Sequence, residues 1–441
     1  MSLKFGTDGV RAEALTVLTA EFVERLGAAA ARVLGSGPWL IGRDTRESGP
    51  QLADALERGL SFVGGAQVTS AGMLPTPALA WLAAVSGYPA AMITASHNPW
   101  QDNGVKIFAP GGLKLADEVE RSIEAAITHP VVGAPPTLPG GHVTTSALVD
   151  PSAAYVQHLV GLTGTLDGLR IVLDCANGAM SAAAPAAFRA LGAEVTVIHD
   201  QPDGRNINDR CGATHVQSLS AAVVAEGAAM GLAFDGDGDR VIAVDHLGRT
   251  VDGDRLIALA ALQLLEEGRL HHDTVVVTVM SNLGFHKAMA AAGIHVVTTA
   301  VGDRYVLEAL DAGGFSVGGE QSGHIIYRDL ATTGDGLLAG LRLAEFVHHH
   351  HRSLAELAAD VMVSYPQVLV NVRVAERHPH VADELAAEIA AAEARLDGDG
   401  RVLLRASGTE PLVRVMVEAA TDELAHAVAD DLAAVVLARF G

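Results

Sequence analysis

Cysteine is nearly missing from this chain, which has only Cys175 and Cys211 among 441 residues. Two cysteines exclude a disulfide framework, and their spacing matches no structural zinc motif. Aromatic residues make up only 4%, and no apolar run reaches the roughly 18 residues of a membrane-spanning helix. The opening stretch, MSLKFGTDGVRAEA, lacks the apolar segment of an export signal. A protein of the reducing cytoplasm, neither exported nor membrane-bound, is therefore expected. Cations are also scarce, with Lys+Arg 30 against Asp+Glu 52 and a formal net charge of -22. Such a balance argues against nucleic acid or an anionic membrane face as partner. A small phosphorylated ligand stays possible, because screening over about 8 Å lets a local arginine cluster outweigh distant carboxylates.

The rest of the sequence alternates. PWLIGRD (38–44), SGPQLADALERGLSFVGG, AQVTSAG, TPALAWLAAVSG and AAMITAS (90–96) read in turn as strand and helix, the pattern of an α/β unit with a largely parallel sheet. Ser96 then falls just past the carboxyl end of a strand, where open α/β sheets bind ligands. Within TASHNPWQDNGVKIF (94–108), Asn-Pro and Asn-Gly read as two turns, with Lys106 in a strand after the second. The Pro- and Gly-rich stretch 131–142 looks like a connection. Two further α/β blocks follow, and from about Ser364 a small α+β block with one long helix over 380–396. The expected organisation is three consecutive α/β domains with mixed, largely parallel sheets (1–140, 141–253, 254–364) and a C-terminal α+β domain (365–441).

Several short stretches carry chemistry. In DGDGDR (235–240), Asp235, Asp237 and Asp239 alternate with glycines and can aim three hard oxygens at one divalent cation. An EF-hand fails, since Arg240 and His246 stand where its Gly and Glu are required. An aspartyl-nucleophile phosphatase remains a rival reading. RASGTEPLVR (405–414) offers Arg405, Ser407, Gly408, Thr409 and Arg414 as a phosphate cradle, or else an ordinary hairpin turn. GEQSGHI (319–325) presents Glu320 and Ser322 to sugar hydroxyls and His324 to a proton or a phosphate. GFSVG (314–318) matches a serine-hydrolase elbow but lacks the helix that must follow it. GTDGVR (6–11) and IGRDTR (41–46) read by default as salt-bridged surface turns. The histidines at 348–351 read as a solvated helix end.

TASHNP, DGDGDR, GEQSGH and RASGTEP, in this order and spacing, make the chain resemble the α-D-phosphohexomutase family from end to end. FGTDGVR, the Gln of GEQSGH and TTAVGDRYV (298–306) resemble the branch acting on glucosamine phosphates. The resemblance implies an isomerase that interconverts glucosamine 6-phosphate and glucosamine 1-phosphate through a phosphoserine and a bisphosphorylated sugar. Glucose or mannose phosphates are the alternative substrates. It implies that Ser96 is the phosphoserine and holds Mg²⁺ with Asp235, Asp237 and Asp239, and that His97 contacts its phosphate. Arg11, Lys106, Arg240 and His324 would line the reacting centre, with Lys106 as general acid or base of lowered pKa. Glu320 and Ser322 would grip the sugar, and Arg405, Ser407, Gly408, Thr409 and Arg414 the phosphate that is not reacting. Priming of Ser96 by a sugar bisphosphate or by phosphorylation, a hinging last domain and a homodimer are also implied. Ala12 departs from the family's usual glycine and would strain the loop of Arg11 if that position needs a positive φ.

Overall fold

The computed structural model describes residues 3–6, 8–62, 66–128, 146–147 (backbone only), 150–407 and 410–441. The connection expected at 131–142 and the cradle residues Gly408 and Thr409 lie outside the described residues. The chain forms two compact units, Met1–Met280 with Ile294–Ala359, and Ser281–Gly293 with Asp360–Gly441.

Three sheets belong to the first unit. The first runs Val10–Glu13, Asp102–Ala109, Ala90–Ile93, Trp39–Arg43, Val68–Met73, Ser146–Ala147, with Leu113–Lys114 on the side. Its pairs from Ala90–Ile93 onward are parallel, whereas Asp102–Ala109 is antiparallel to both neighbours. The second is ordered Thr250–Val251, Val241–Asp245, Met230–Phe234, Arg170–Asp174, Glu194–Ile198, and the third His295–Thr299, Thr274–Thr278, Val317–Gly319, Ile325–Tyr327. Central strands such as AAMI, MGLAF and TVVVT are buried at every residue. Helices cover both faces of a parallel sheet, so its strands read as continuous apolar runs.

The helices follow from apolar spacing and caps. Ala20–Leu34 buries Phe22, Val23, Leu26, Ala29 and Ala30 on one stripe, and Thr19 accepts a 3.1 Å bond from Phe22 N at its start. It packs on Gly49–Phe62, whose Leu52, Leu56 and Leu60 share the same core. In the second unit, Gln367–Arg373, Leu412–Glu418 and Arg401–Ala406 form an antiparallel sheet covered by Asp422–Phe440. The fold is thus α/β with a small C-terminal α+β part, and its sheets are mixed rather than largely parallel, since antiparallel strands at their edges nearly equal the parallel pairs of their centres. The long helix expected over 380–396 is two helices, Val381–Glu384 and Ala386–Arg395, parted at Leu385, whose φ of -116° leaves the helical region and whose side chain is buried. No helix among the described residues is long and apolar enough to cross a membrane.

Candidate active site

Ser96 follows the strand Ala90–Ile93 and is fully buried. Its φ of +53° lies in the left-handed region, which for a residue other than glycine costs of order 1–3 kcal/mol and persists only where neighbours enforce it. Arg46 is one enforcer: Nη2 donates to the carbonyls of Ser96 (2.8 Å) and Asn98 (2.9 Å), and Nη1 donates to Asp102 O (2.9 Å) and Pro99 O. Asn208 Nδ2 adds bonds to Ser96 O (2.9 Å) and Asn98 O (3.0 Å). Asp44 holds the Arg46 Nε at 2.8 Å and accepts the Thr94 hydroxyl, which in turn accepts Ser96 N. IGRDTR is therefore not a surface turn; Asp44 and Arg46 are buried beneath the serine loop. The local sequence could not reveal this, because every partner of Arg46 except Asp44 is about fifty or more residues away.

The second expected turn, Asn103-Gly104, is also corrected. Both residues lie inside the strand Asp102–Ala109, and the bend comes just before, where Asp102 N reaches Pro99 O at 3.1 Å. Glycine is needed at 104 for closeness, since a Cβ there would sit 2.6 Å from Thr94 O and 2.7 Å from Val10 O. On the outer side of this strand, Ala12 pairs with Asn103 in a regular strand and has no left-handed φ, so the strain considered for Arg11 does not arise. Arg11 pairs with Asp8.

DGDGDR follows the strand Met230–Phe234, and Gly236 lets it approach the serine loop: a Cβ there would lie 2.7 Å from Ser96 O. The Ser96 hydroxyl donates to Asp235 Oδ2 at 2.6 Å, and His97 Nδ1 stands 3.3 Å from Ser96 Oγ. Thr76 fixes Asp237 through a 2.6 Å bond to Oδ2 and through its N–H to Asp237 O. Asp235, Asp237 and Asp239 are buried, and one oxygen from each lies within 4.8 Å of the others. Asp237 Oδ1 and Asp239 Oδ1 are buried with no hydrogen-bond partner among the described residues. Three carboxylates beside a serine, two of them with an unpartnered oxygen, fit a divalent cation that prefers oxygen ligands.

Lys106 lies 2.8 Å from both Asp237 and Asp239 and 2.9 Å from Asp8. Burial works to lower its pKa, but the charges of Asp237, Asp239 and Asp8 outweigh it and hold the ammonium well above its ordinary value. The lowered pKa expected from the sequence is thus reversed. Asp235 goes the other way from its neighbour: burial, then the charges of Asp239 and Asp237, push its carboxyl well up. Asp239 is held well down because Lys106 and His324 more than offset its burial. His97 is lowered to about 4 by burial and by Arg240 and Arg11, so a neutral ring faces Ser96.

An isolated bridge pairs Arg240 with His324 and draws GEQSGH onto the end of DGDGDR. His324 is buried, with Nδ1 3.7 Å from Asp239 and Nε2 3.4 Å from Asp303. Burial would lower the imidazole, yet Asp239 and Asp303 raise it above its usual value. Glu320 accepts Gly302 N at 3.0 Å, while Ser322 is exposed on the turn. Asp303, missed in the sequence reading though it sits in TTAVGDRYV, also pairs with Lys114, which pairs with Asp8 at 3.1 Å. Arg11 Nε and Arg240 Nε are buried without a hydrogen-bond partner among the described residues, as donors awaiting an anion would be. The serine of GFSVG is spoken for: Ser316 donates to Arg269 O and accepts His271 N.

In the second unit Arg405 and Arg414 face each other across neighbouring strands. Arg405 is lowered by burial and by the Arg414 charge, and Arg414 Nε is buried without a hydrogen-bond partner among the described residues. Ser407, just past the strand, is buried and its N–H bonds Leu412 O at 2.7 Å. Like charges set directly opposite repel unless an anion joins them.

A serine held in a strained loop against a carboxylate cluster, at the carboxyl ends of parallel strands, is an arrangement that suits phosphoryl transfer. The comparisons with known proteins give its kind. The chain matches "Phosphoglucomutase/phosphomannomutase" alpha/beta/alpha domain I over residues 2–130, domain II over 153–248, domain III over 252–365, and the C-terminal domain over 369–435. The phosphoglucosamine mutase of Rhodococcus jostii is 52% identical over 99% of this chain and 99% of its own. The crystal structure of a phosphoglucomutase/phosphomannomutase family protein from Burkholderia thailandensis superposes with a TM-score of 0.80 at 25% identity, covering 98% of this chain and 97% of that one. The N-acetylphosphoglucosamine mutase of Aspergillus fumigatus, solved with GlcNAc-6P and magnesium, shares the fold at a TM-score of 0.71 and 20% identity, covering 100% of this chain and 96% of its own. The chain belongs to the phosphoglucomutase/phosphomannomutase family and, within it, to the phosphoglucosamine mutases.

Proposed function

We propose that the protein interconverts glucosamine 6-phosphate and glucosamine 1-phosphate with Ser96 as the phosphoryl carrier. The observation that carries this reading is the Ser96 hydroxyl 2.6 Å from Asp235 inside the buried cluster of Asp235, Asp237 and Asp239. In the forward step a sugar hydroxyl oxygen bonds to phosphorus as the bond from phosphorus to Ser96 Oγ breaks; the hydroxyl's proton ends on Ser96 Oγ. The resulting bisphosphorylated sugar turns over, and its other phosphate returns to Ser96 by the same chemistry reversed.

Asp235, Asp237 and Asp239, with an oxygen of the Ser96 phosphate, would hold Mg²⁺, which when bound spreads positive charge over the transferring group. His97, 3.3 Å from Ser96 Oγ, would contact the phosphate carried there, and Lys106, kept charged, would stabilise the charge of the transferring group. Arg11, Arg240 and His324 would neutralise the phosphoryl oxygens, and Glu320 and Ser322 would take the sugar hydroxyls. Arg405, Ser407, Gly408, Thr409 and Arg414 would hold the phosphate not in reaction. Work in the cytoplasm as a homodimer, after priming of Ser96 by phosphorylation or a sugar bisphosphate, belongs to the same proposal.

Two measurements test it. Intact-mass analysis of purified protein should find phosphate on Ser96, and Ser96→Ala should lose at least about 10³-fold in kcat, as expected when a nucleophile is removed. Activity kept within tenfold in that variant would instead favour Asp235 as nucleophile. The kcat/KM for glucosamine 1-phosphate should exceed that for glucose 1-phosphate on Mg²⁺-loaded, bisphosphate-primed enzyme. The opposite order would keep the chemistry and overturn the substrate.

A further inference from the structure

Phosphoryl transfer as proposed uses neither cysteine, yet Cys211 stands in a set of donor groups. The parallel strands Arg170–Asp174 and Glu194–Ile198 pair Asp174 with Ile198, so their ends bring Asp174 and the next residue, His199, side by side. Gly212 N donates to Asp174 Oδ2 at 2.9 Å and carries Cys211 to the same place. One ligand atom from each of Asp174, His199 and Cys211 lies within 4.8 Å of the other two. Asp174 and Cys211 are fully buried, and the His199 side chain is 30% exposed, which leaves a way in from solvent.

We propose that Asp174, His199 and Cys211 form a second metal site, for a borderline-soft divalent cation of the zinc class. A thiolate, an imidazole and a carboxylate with a fourth position open to water is a donor set that such a cation prefers and that Mg²⁺, which wants oxygen ligands in octahedral order, does not. Asp174 is already explained as a brace, accepting Ala176 N at 2.9 Å as well as Gly212 N. The Cys211 thiol, which the proposed reaction does not use, faces the pair of Asp174 and His199. His199 Nδ1 is 3.1 Å from Asp174 Oδ1, an ion pair whose place a shared cation would take. Around the cluster Ala176, Asn177, His199, Asn208 and Arg210 all have left-handed φ between 48° and 59°. Asn208 is also the residue that grips the Ser96 carbonyl, so a cation here would stiffen the ground on which the serine loop stands.

Titration of the full, Mg²⁺-loaded protein with Co²⁺ tests the site, because a thiolate bound to Co²⁺ gives a near-ultraviolet charge-transfer band that oxygen ligands cannot give. The band should appear at one equivalent, vanish in Cys211→Ser and persist in Cys175→Ser. His199→Asn, chosen because asparagine tolerates left-handed φ, should weaken Co²⁺ binding by at least about tenfold, the loss seen even when only an outer partner of a metal ligand goes. No band, or a band that survives Cys211→Ser, overturns the proposal. Should Cys211→Ser not fold, unchanged Co²⁺ affinity in a folded His199→Asn overturns it as well.

Discussion

A lysine in place of Arg46 would keep the charge and lose the fork. Arg46 serves four backbone carbonyls and Asp44 at once, and no ammonium spans that spread. Arg46→Met goes further and leaves Asp44 buried without its counter-charge, a defect of about 3–5 kcal/mol. Urea unfolding should register that loss, and the Ser96 loop, no longer forced into its left-handed turn, should accept phosphate poorly by mass analysis. Arg46→Lys should fall between wild type and this variant. The same residue shows what the sequence reveals. Ser96 and the three aspartates were legible because their chemistry sits in consecutive letters. Arg46, Asn208 and Thr76 were not, because each matters through a partner 50, 112 or 161 residues away. Lys106 stands at the cluster as its place after Ser96 suggests, but the direction of its pKa is not legible, because the three carboxylates that raise it come from distant parts of the chain.

Paired strands and capped helices carry their own consequences. Between Arg401–Ala406 and Leu412–Glu418, Arg405 and Arg414 stand opposite each other and their charges repel in the free protein, and the proposed cradle would relieve this by taking an anion. Arg414→Gln should therefore leave the midpoint of thermal unfolding unchanged or higher, while kcat/KM falls about 10- to 150-fold, the equivalent of one charged hydrogen bond of 1.5–3 kcal/mol. A lowered midpoint would show that the pair is structural. The helix Gly336–His350 is capped by Asp335, which also accepts the Tyr155 hydroxyl, at 2.8 Å to each oxygen. Burial lifts this carboxyl from 3.8 to about 6 despite those bonds. A carboxyl raised in the folded state gives stability that is full below its unfolded pKa and is lost as pH rises through the folded one. Asp335→Asn, which can cap and bond Tyr155 without charge, should therefore gain on wild type by up to about 3 kcal/mol between pH 4 and pH 7. Equal pH profiles for the two proteins would sink this account. Strand order and capping could not be read from sequence, whereas the alternation of strand and helix could, since buried central strands print as unbroken apolar runs.

On the scale of the whole molecule, the chain serves its second unit twice. Ser281–Gly293 belongs with Asp360–Gly441, and the buried Glu418 accepts Leu283 N at 2.8 Å and Asn282 Nδ2 at 3.3 Å from that early segment, besides Arg401. A fragment of residues 365–441 alone leaves this carboxylate short of partners. Circular dichroism should find it less cooperative on heating than the same fragment fused to residues 281–293. Chelation makes a contrast: EDTA should abolish mutase activity and Mg²⁺ restore it, with far-ultraviolet dichroism unchanged, since the acid cluster keeps Lys106 as an internal counter-ion.

The double service also sets a timetable. Leu283 leaves the ribosome 135 residues before Glu418. At roughly 5–20 residues per second that is a wait of about 7–27 s. Throughout it the Leu283 N–H and the Asn282 amide lack the carboxylate that receives them in the folded protein. During synthesis this segment is therefore expected to settle into its unit only once the strand Leu412–Glu418 has been made.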